Sequence, residues 1–322
     1  MQTLTETIDN TESKEYSVVR LSKNNLKDLA KLHAEVYNDA VSNIYFQMKY
    51  DTAYTGIENA GFIVYNKDGQ PVAYYGVIPC FIQYKKEIIL AAQSADTMTH
   101  PKHRYKGMFV ELSHRTFDLC RELGIRLIFG FPNQNSYHGA VKKLGWKMTE
   151  TLACFTIPVK SLPIQSVLSK LKLSSLYKRY CNLILHNKSI NCQGTLNSVV
   201  SNGFAGVARS TEYLNYKTYS STKVIQISGS RIWISIKHVL LIGDMEDVNE
   251  KNFDMVINQL KKIAKRLGLR QIQFHCSPET SLYKLFITKH CPTSSFPVLF
   301  QDLGSSIPPE KIKFTFADID IF

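Results

Sequence analysis

Apolar residues along this chain recur with two periods, two residues in strand-like runs and three to four in helical ones. Tyr16–Leu21 reads as a first strand, and Leu26, Leu29, Leu32 and Val36 then keep helical spacing through Leu26–Tyr37. Gly61–Tyr65 and Val72–Pro79 predict strands joined by Asn66-Lys67-Asp68-Gly69, because Asp-Gly between apolar runs favours a tight hairpin turn. Phe81–Tyr84 and Ile88–Ser94 predict a second hairpin across Lys85-Lys86-Glu87. A helix follows over Met108–Leu123, with Leu112, Phe117 and Leu123 inward and Gly124 as its stop. Ile125–Phe129 reads as a buried strand, Gly139–Leu144 as a short helix and Met148–Ile157 as a strand. Helices interleaved with a run of antiparallel strands predict an α/β (α+β) layer architecture.

Pro158 and Pro163 mark a boundary. Beyond them Val167, Leu168, Leu171, Leu176, Tyr180 and Leu183 keep helical spacing through Ile164–Leu185. That stretch is open to three readings: a connecting helix, a membrane-surface helix or a partner helix. A second globular unit is expected from Gly203, with strands at Val224–Ser228, Ile232–His238 and Val239–Met245 and a helix over Phe253–Leu267. A strand at Gln271–Cys276, a short helix at Leu282–Ile287 and a last strand at Pro297–Gln301 complete it. The predicted organisation is a disordered lead-in at 1–15, a first domain at 16–158, a connecting helix and linker at 159–202 and a second domain at 203–322. The acidic tail Ala317–Asp320, ending Ile321-Phe322, can pack back on that second domain.

A length of 322 residues agrees with two domains. With 44% hydrophobic and 20% charged residues, ordinary globular cores are expected. No apolar run approaches the roughly 18 residues a membrane span needs, so neither a transmembrane helix nor stable membrane insertion is predicted. The start, MQTLTETIDNTESKEY, lacks the basic and apolar regions of a signal peptide. Seven cysteines without a C-x-x-C pair read as reduced thiols of a cytoplasmic protein. The histidines do not cluster with them at ligand spacing, so no metal is expected. The net charge of +12 gathers in the 102–106 loop and in Lys160–Lys188. It is either a solvated face or an attractor of polyanions, whether small phosphorylated ligands, which fit the loop best, nucleic acid or a membrane surface. No nucleic-acid-binding module is present in the pattern, and nucleic acid is not an expected partner.

The chemistry concentrates between Thr97 and Trp146. A strand ending at His100-Pro101 runs into the basic loop His103-Arg104-Tyr105-Lys106-Gly107, and a helix starts at Met108. A helix start leaves N–H groups without partners and carries the positive end of the dipole, so a strand–loop–helix turn of this kind suits a phosphate. These residues resemble motif A of the GNAT superfamily of acyl-coenzyme A-dependent N-acyltransferases, whose pattern is Gln or Arg, two residues, Gly, one residue, then Gly or Ala. Arg104 and Gly107 match, whereas Phe109 replaces the small last residue. Pro101 before the loop, Asn133-Gln134-Asn135-Ser136-Tyr137 after the next strand and Lys143-Leu144-Gly145-Trp146 resemble further features of that family. The likeness covers about 16–158, and the predicted element order is the family's.

The resemblance implies a fold of two tandem GNAT-like domains, each a mixed, mostly antiparallel sheet flanked by helices, because Glu212–Lys217 is similar to a segment in the second half of tandem members. It implies acetyl-coenzyme A or a longer acyl-coenzyme A as cosubstrate, no metal, and an amine acceptor. Met98 and Thr99 at the strand end, the loop residues Arg104, Tyr105, Lys106, Gly107 and Met108, and Asn133 and Asn135 are the cofactor-binding candidates. Gly243-Asp244-Met245-Glu246-Asp247, the analogous loop of the second half, is acidic and would repel a diphosphate, which leaves one coenzyme site.

Acyl transfer needs a neutral amine, and an amine of pKa about 8 is only about a tenth neutral at pH 7. A base would raise that fraction. Asp96, Met98 and His100 alternate onto one strand face, so Asp96 and His100 are candidates; a plain hairpin carboxylate and a strand-end cap are the alternatives. The family's thiolate-protonating tyrosine falls at Val141, so either Tyr137 or His138 substitutes or no acid is needed, because a thiol of pKa about 8.5 is a tolerable leaving group. Tyr45, Phe46, Tyr50 and Tyr54 lie where the family's acceptor loop falls, able to stack on a base or sugar ring or simply to pack inside. The whole chain most resembles bacterial two-domain members that N-acylate nucleotide-linked amino sugars, such as dTDP-amino-dideoxyhexoses, for surface polysaccharide synthesis, acting as monomer or homodimer. An aminoglycoside, peptide or lysine acceptor, or a non-catalytic coenzyme A-binding protein, are the rival readings.

Overall fold

A computed structural model describes residues 15–171 and 173–322, and its residues form two compact units. The first takes in the described residues up to Ile82, then Ile88–Thr149 and Val298–Pro309; the second takes in Gln83–Glu87, Glu150–Pro297 and Glu310–Phe322. The stretch expected as a linker, 159–202, therefore lies inside the second unit. The expected disorder of 1–15 falls outside the described residues except at Glu15.

In the first unit β1 (Tyr16–Arg20) leads to α1 (Leu26–Tyr37) and α2 (Asn43–Lys49). Strands β2 (Gly61–Asn66), β3 (Pro71–Tyr84) and β4 (Glu87–Thr99) follow, then α3 (Met108–Glu122), β5 (Leu127–Gly130) and α4 (Gln134–Leu144). The strands lie in that order in one sheet, and Leu299–Asp302 pairs antiparallel with β5. The β4–β5 pair is parallel, Ala91–Gln93 against Leu127–Phe129. Leu26, Leu29 and Leu32 give α1 the apolar stripe its spacing predicts, and all three are buried. Phe117 and Cys120 of α3 and Leu144 of α4 pack with Trp146 and Ile128 in the unit's core.

Three local expectations need correction here. Val72–Pro79 and Phe81–Tyr84 are one strand, because Pro79 lies past the last residue pairing with β2, Gly76, and its missing N–H breaks no bond of that ladder. Helix α2 had no counterpart in the sequence reading; Ser42 caps it by accepting from the Tyr45 N–H. Helix α4 begins five residues before Gly139, because the Asn133 side chain accepts from the N–H groups of Asn135 and Ser136.

The second unit is built on β6 (Lys147–Pro158), entered at Glu150. The predicted helix at Ile164–Leu185 is two helices, α5 (Ile164–Lys170) and α6 (Ser174–Leu185). After α7 (Ser198–Ser201), β7 (Gly206–Val207) and α8 (Thr211–Tyr216) come β8 (Thr222–Ile227), β9 (Ser230–Ile236) and β10 (Leu240–Glu246). The chain ends through α9 (Phe253–Arg266), β11 (Gln271–Cys276), α10 (Ser281–Ile287) and β12 (Pro292–Asp302). The sheet runs β6-β11-β10-β9-β8, with β10 and β11 parallel and the other pairs antiparallel. Phe155, Leu260, Phe274 and Phe286 centre its core. Each unit is thus a mixed, mostly antiparallel sheet flanked by helices, as expected.

His275 on β11 is buried on the sheet face opposite Phe274, in register with Cys154, its Nδ1 at 2.6 Å from Ser295 Oγ and its ring stacked on Phe316. Burial pushes its pKa down from 6.5 to about 4. The folded chain therefore binds this proton less well than the unfolded chain, and stability falls as pH drops from about 6.5 to about 4, by about 3 kcal/mol. Urea titrations at pH 7 and pH 4 should show this loss, and His275→Gln should lose correspondingly less. An identical pH dependence in the variant would show that His275 is not the group responsible.

Candidate active site

The site opens where β4 and β5 part. Their parallel ladder stops at Gln93 and Phe129, and Asp96, with φ of 51°, turns β4 through the left-handed region. Beyond it a cleft of about 470 Å³ is lined by Thr97, Met98 and Thr99 of β4 and by residues 103–110 of the loop and α3. Asn133, Asn135, Ser136, Gly139 and Lys143 of α4 close one side, and Val36 and Tyr37 of α1 also line it. All nine residues expected to bind the cofactor, from Met98 to Asn135, are brought together here.

The loop has the conformation an anion site needs. Tyr105 and Gly107 both have positive φ, 67° and 79°, so successive N–H groups converge. Among the described residues no backbone or side-chain group accepts from the N–H groups of Tyr105, Lys106, Gly107, Met108 or Phe109. Arg104, Lys106 and Lys143 supply positive charge around them. Lys106 itself rests on the Tyr16 hydroxyl at 2.8 Å and on Glu15 at 3.3 Å, and these partners raise its pKa. His103 bonds the same hydroxyl at 2.8 Å; burial, then the neighbouring His100 and Lys106 charges, lower its pKa.

Phe109, the departure from the family pattern, points away from the loop towards Tyr75 and α4. A Cβ on Gly139 would stand 2.8 Å from its ring, so the bulky residue on α3 is matched by a missing side chain on α4. Asn133 spends its side chain on capping α4, while Asn135 sits in that helix's first turn at the cleft wall.

The catalytic candidates go elsewhere. The left-handed turn at Asp96 breaks the two-residue alternation, so Asp96, Met98 and His100 reach different neighbours. The Asp96 carboxylate accepts from Lys49 Nζ at 2.7–2.8 Å and from the Tyr50 hydroxyl at 2.8 Å. Burial, and after it the Asp96 charge, raise the Tyr50 pKa well above its ordinary value, so this phenol stays a donor. His100 accepts from the Lys102 N–H at 3.3 Å and caps the turn Pro101–His103. The Tyr137 hydroxyl donates to Met148 Sδ, and its side chain does not line the cleft. Two phenols line the cleft, the fully exposed Tyr105 of the loop and Tyr37, whose hydroxyl lies 3.5 Å from the Thr97 carbonyl and whose pKa is raised by burial and then by the Asp96 charge. Tyr37, His103 and Lys143 were not among the expected site residues because their place depends on how elements pack, although His103 stood in the basic loop and Lys143 in the Lys143–Trp146 motif already noted.

The expected acceptor aromatics also need correction. Phe46 and Tyr50 are fully buried and stack on each other at 6.3 Å, leaving no face for a ligand. Tyr54 bonds the Pro79 carbonyl and meets Phe81 edge-on, and Tyr45 lies under the Lys49 ammonium. None of the four lines the cleft.

The second unit repeats the parallel pair and divergence but fills the gap from within. Past the β10–β11 ladder, Gly243 forms a bulge, and a Cβ there would lie 2.2 Å from the Phe322 ring. The tail lies against both strands: Lys217 Nζ holds the Ile319 carbonyl at 2.7 Å and Trp233 meets Phe322 edge-on. Gly243–Asp247 is therefore mostly strand rather than an acidic loop. Asp244, fully buried, pairs with Arg209 at 2.6 Å, and Arg209 reaches Asp318 of the tail at 2.8 Å. Burial opposes the Arg209 charge, but Asp318 and Asp244 outweigh it and raise its pKa.

Among the described residues no group of three His, Cys, Asp or Glu is placed to hold a metal, and no helix is long and apolar enough to cross a membrane. No curated protein matches the sequence. By structure the chain is similar to a GCN5-related N-acetyltransferase from Kribbella flavida, at 10% identity and TM-score 0.60, over 92% of this chain and 73% of that one. A GCN5-related N-acetyltransferase from Anabaena variabilis is similar at 13% identity and TM-score 0.55, over 89% and 73%. At such identities the likeness speaks for the fold. The sequence itself matches the family model described as acetyltransferase (GNAT) domain over residues 17–149, the stretch that builds the cleft. Over residues 17–149 the chain is thus similar to GNAT acetyltransferase domains.

Proposed function

We propose that the chain transfers an acyl group from acyl-coenzyme A to the amine of a nucleotide-linked amino sugar of the dTDP-amino-dideoxyhexose type, for surface polysaccharide synthesis. The observation that carries the coenzyme half is the set of unpartnered N–H groups at 105–109, facing a basic cleft at the start of α3. That donor set fits a diphosphate, each hydrogen bond to a charged group contributing about 1.5–3 kcal/mol. The acceptor half rests on the whole-chain resemblance and on the +12 charge, which favours an acceptor that itself bears a diphosphate.

When bound, the cosubstrate supplies an acyl group activated as a thioester. The chain would hold it through the 105–109 N–H groups, Arg104, Lys106 and Lys143, with Thr97–Thr99 beside the reacting end. The amine attacks the carbonyl carbon, gives up a proton to solvent, and the C–S bond breaks. Tyr37, a phenol protonated at neutral pH, lines the cleft beside Thr97 and is the group we assign to donate to the departing sulfur. With the Asp96 carboxylate committed to Lys49 and Tyr50, no side-chain base is assigned.

The test is thiol release from acetyl- and hydroxybutyryl-coenzyme A against dTDP- and UDP-linked amino sugars, free amino sugars, an aminoglycoside and a lysine peptide. Release confined to a nucleotide-linked amino sugar is the expected result. Release with the aminoglycoside or the peptide alone overturns the acceptor, and coenzyme binding without release to any amine overturns the enzyme reading.

A further inference from the structure

Six large apolar side chains, Leu162, Val167, Leu171, Leu173, Leu176 and Leu183, are exposed within 22 residues of the second unit, with Leu162 at 77% and Leu183 at 74%. The inner face of α6 is accounted for. Cys181 and Leu185 are in the core, and the hydroxyls of Tyr177 and Tyr180 donate to the carbonyls of Leu267 and Arg266. The outer face carries Leu176, Arg179 and Leu183 at helical spacing, and α5 repeats the mixture with Val167 and Lys170, followed at its end by Leu171.

Charge says what covers this face. From residue 151 to 211 the sequence contains no Asp or Glu, but it contains six Lys or Arg between Lys160 and Lys188. Lys160, Lys170, Lys178 and Arg179 are exposed, and no described carboxylate pairs with them. Apolar stripes flanked only by cations match a surface that is anionic outside and hydrocarbon beneath. Leucines enter below the headgroups while lysine and arginine stems extend their charges to the phosphates. A nucleic acid would use the cations and leave the leucines in water.

We propose that the α5–α6 face docks the protein on an anionic phospholipid bilayer surface. This peripheral association is independent of the acceptor assigned above and needs no spanning segment. The full chain should cosediment with vesicles of phosphatidylcholine containing phosphatidylglycerol and much less with phosphatidylcholine alone, and added salt should weaken it. Leu176→Ser/Leu183→Ser should lower vesicle affinity about tenfold or more while thiol release and circular dichroism stay as in the parent. Lys170→Glu/Arg179→Glu should lower it as well. Failure to sediment with anionic vesicles overturns the proposal, as does vesicle binding that the leucine variant leaves unchanged. Tight binding of duplex DNA, equally insensitive to the leucines, would assign the face to nucleic acid instead.

Discussion

Arg104→Ala/Lys106→Ala is expected to bind acyl-coenzyme A about a hundredfold more weakly than the parent chain, with kcat changed little at saturating coenzyme. The two cations stand beside the 105–109 N–H groups in the cleft wall, and each charge-assisted contact to a phosphate contributes about 1.5–3 kcal/mol. Losing two such contacts compounds, and the hundredfold stands at the low end because both side chains are exposed. Because the diphosphate is far from the reacting carbonyl and unchanged in the transition state, the loss falls on ground-state and transition-state binding alike and shows in KM. Calorimetric titration with coenzyme A and steady-state kinetics at two salt concentrations measure both, and the variant's affinity should depend less on salt. A loss under tenfold would mean that backbone N–H groups alone hold the phosphates; a fall in kcat at unchanged KM would place these cations at the reacting end.

How far the site could be read from sequence follows from how local each feature is. The phosphate loop is contiguous, its Arg104 and Gly107 spaced by the turn itself, so the residue string sufficed. Asn133 was noticed, but Asn is also a cap signal, and read that way it would have started α4 at Gln134, although the residues that follow, Asn135 to Gly139, are weak helix formers that hide the helix from propensity. Phe109 looked like a defect because its complement, Gly139, is thirty residues away on another helix. The acidity of Asp244 was read as repulsion because nothing local announces that Arg209 reaches it in the core. Likewise the aromatic run from Tyr45 to Tyr54 fits a stacking surface and a core equally well, and only packing decides, burying Phe46 and Tyr50 while Tyr37 is left at the cleft. Fold, by contrast, was written in periodicity: α1 and β11 fall where apolar spacing put them, whereas α2, a single capped helix of seven residues, is too short to show a period.

Asp96 is where alternation misled most, and its replacement separates an anchor from a base. Asp96→Asn should cost about 3–5 kcal/mol of stability, because it takes from the buried Lys49 ammonium, 1% exposed, the carboxylate it is ion-paired with. Asn is the informative choice: it tolerates the left-handed φ of 51° and can still meet the Tyr50 hydroxyl, so the lost charge is the main change. Adding Lys49→Met removes the buried cation as well, and Lys49→Met/Asp96→Asn should recover most of the melting temperature, since an apolar side chain of similar length often replaces a buried charge at little loss. If Asp96 holds α2 against β4, the double variant keeps kcat within about tenfold of the parent. Were Asp96 the general base, the double variant would be folded yet lose about 10²–10⁴ in kcat. Thermal melts with thiol-release kinetics on the two variants decide the matter: recovered stability with recovered turnover makes Asp96 the anchor of the helix that ends at Lys49, and recovered stability with lost turnover returns it to the chemistry.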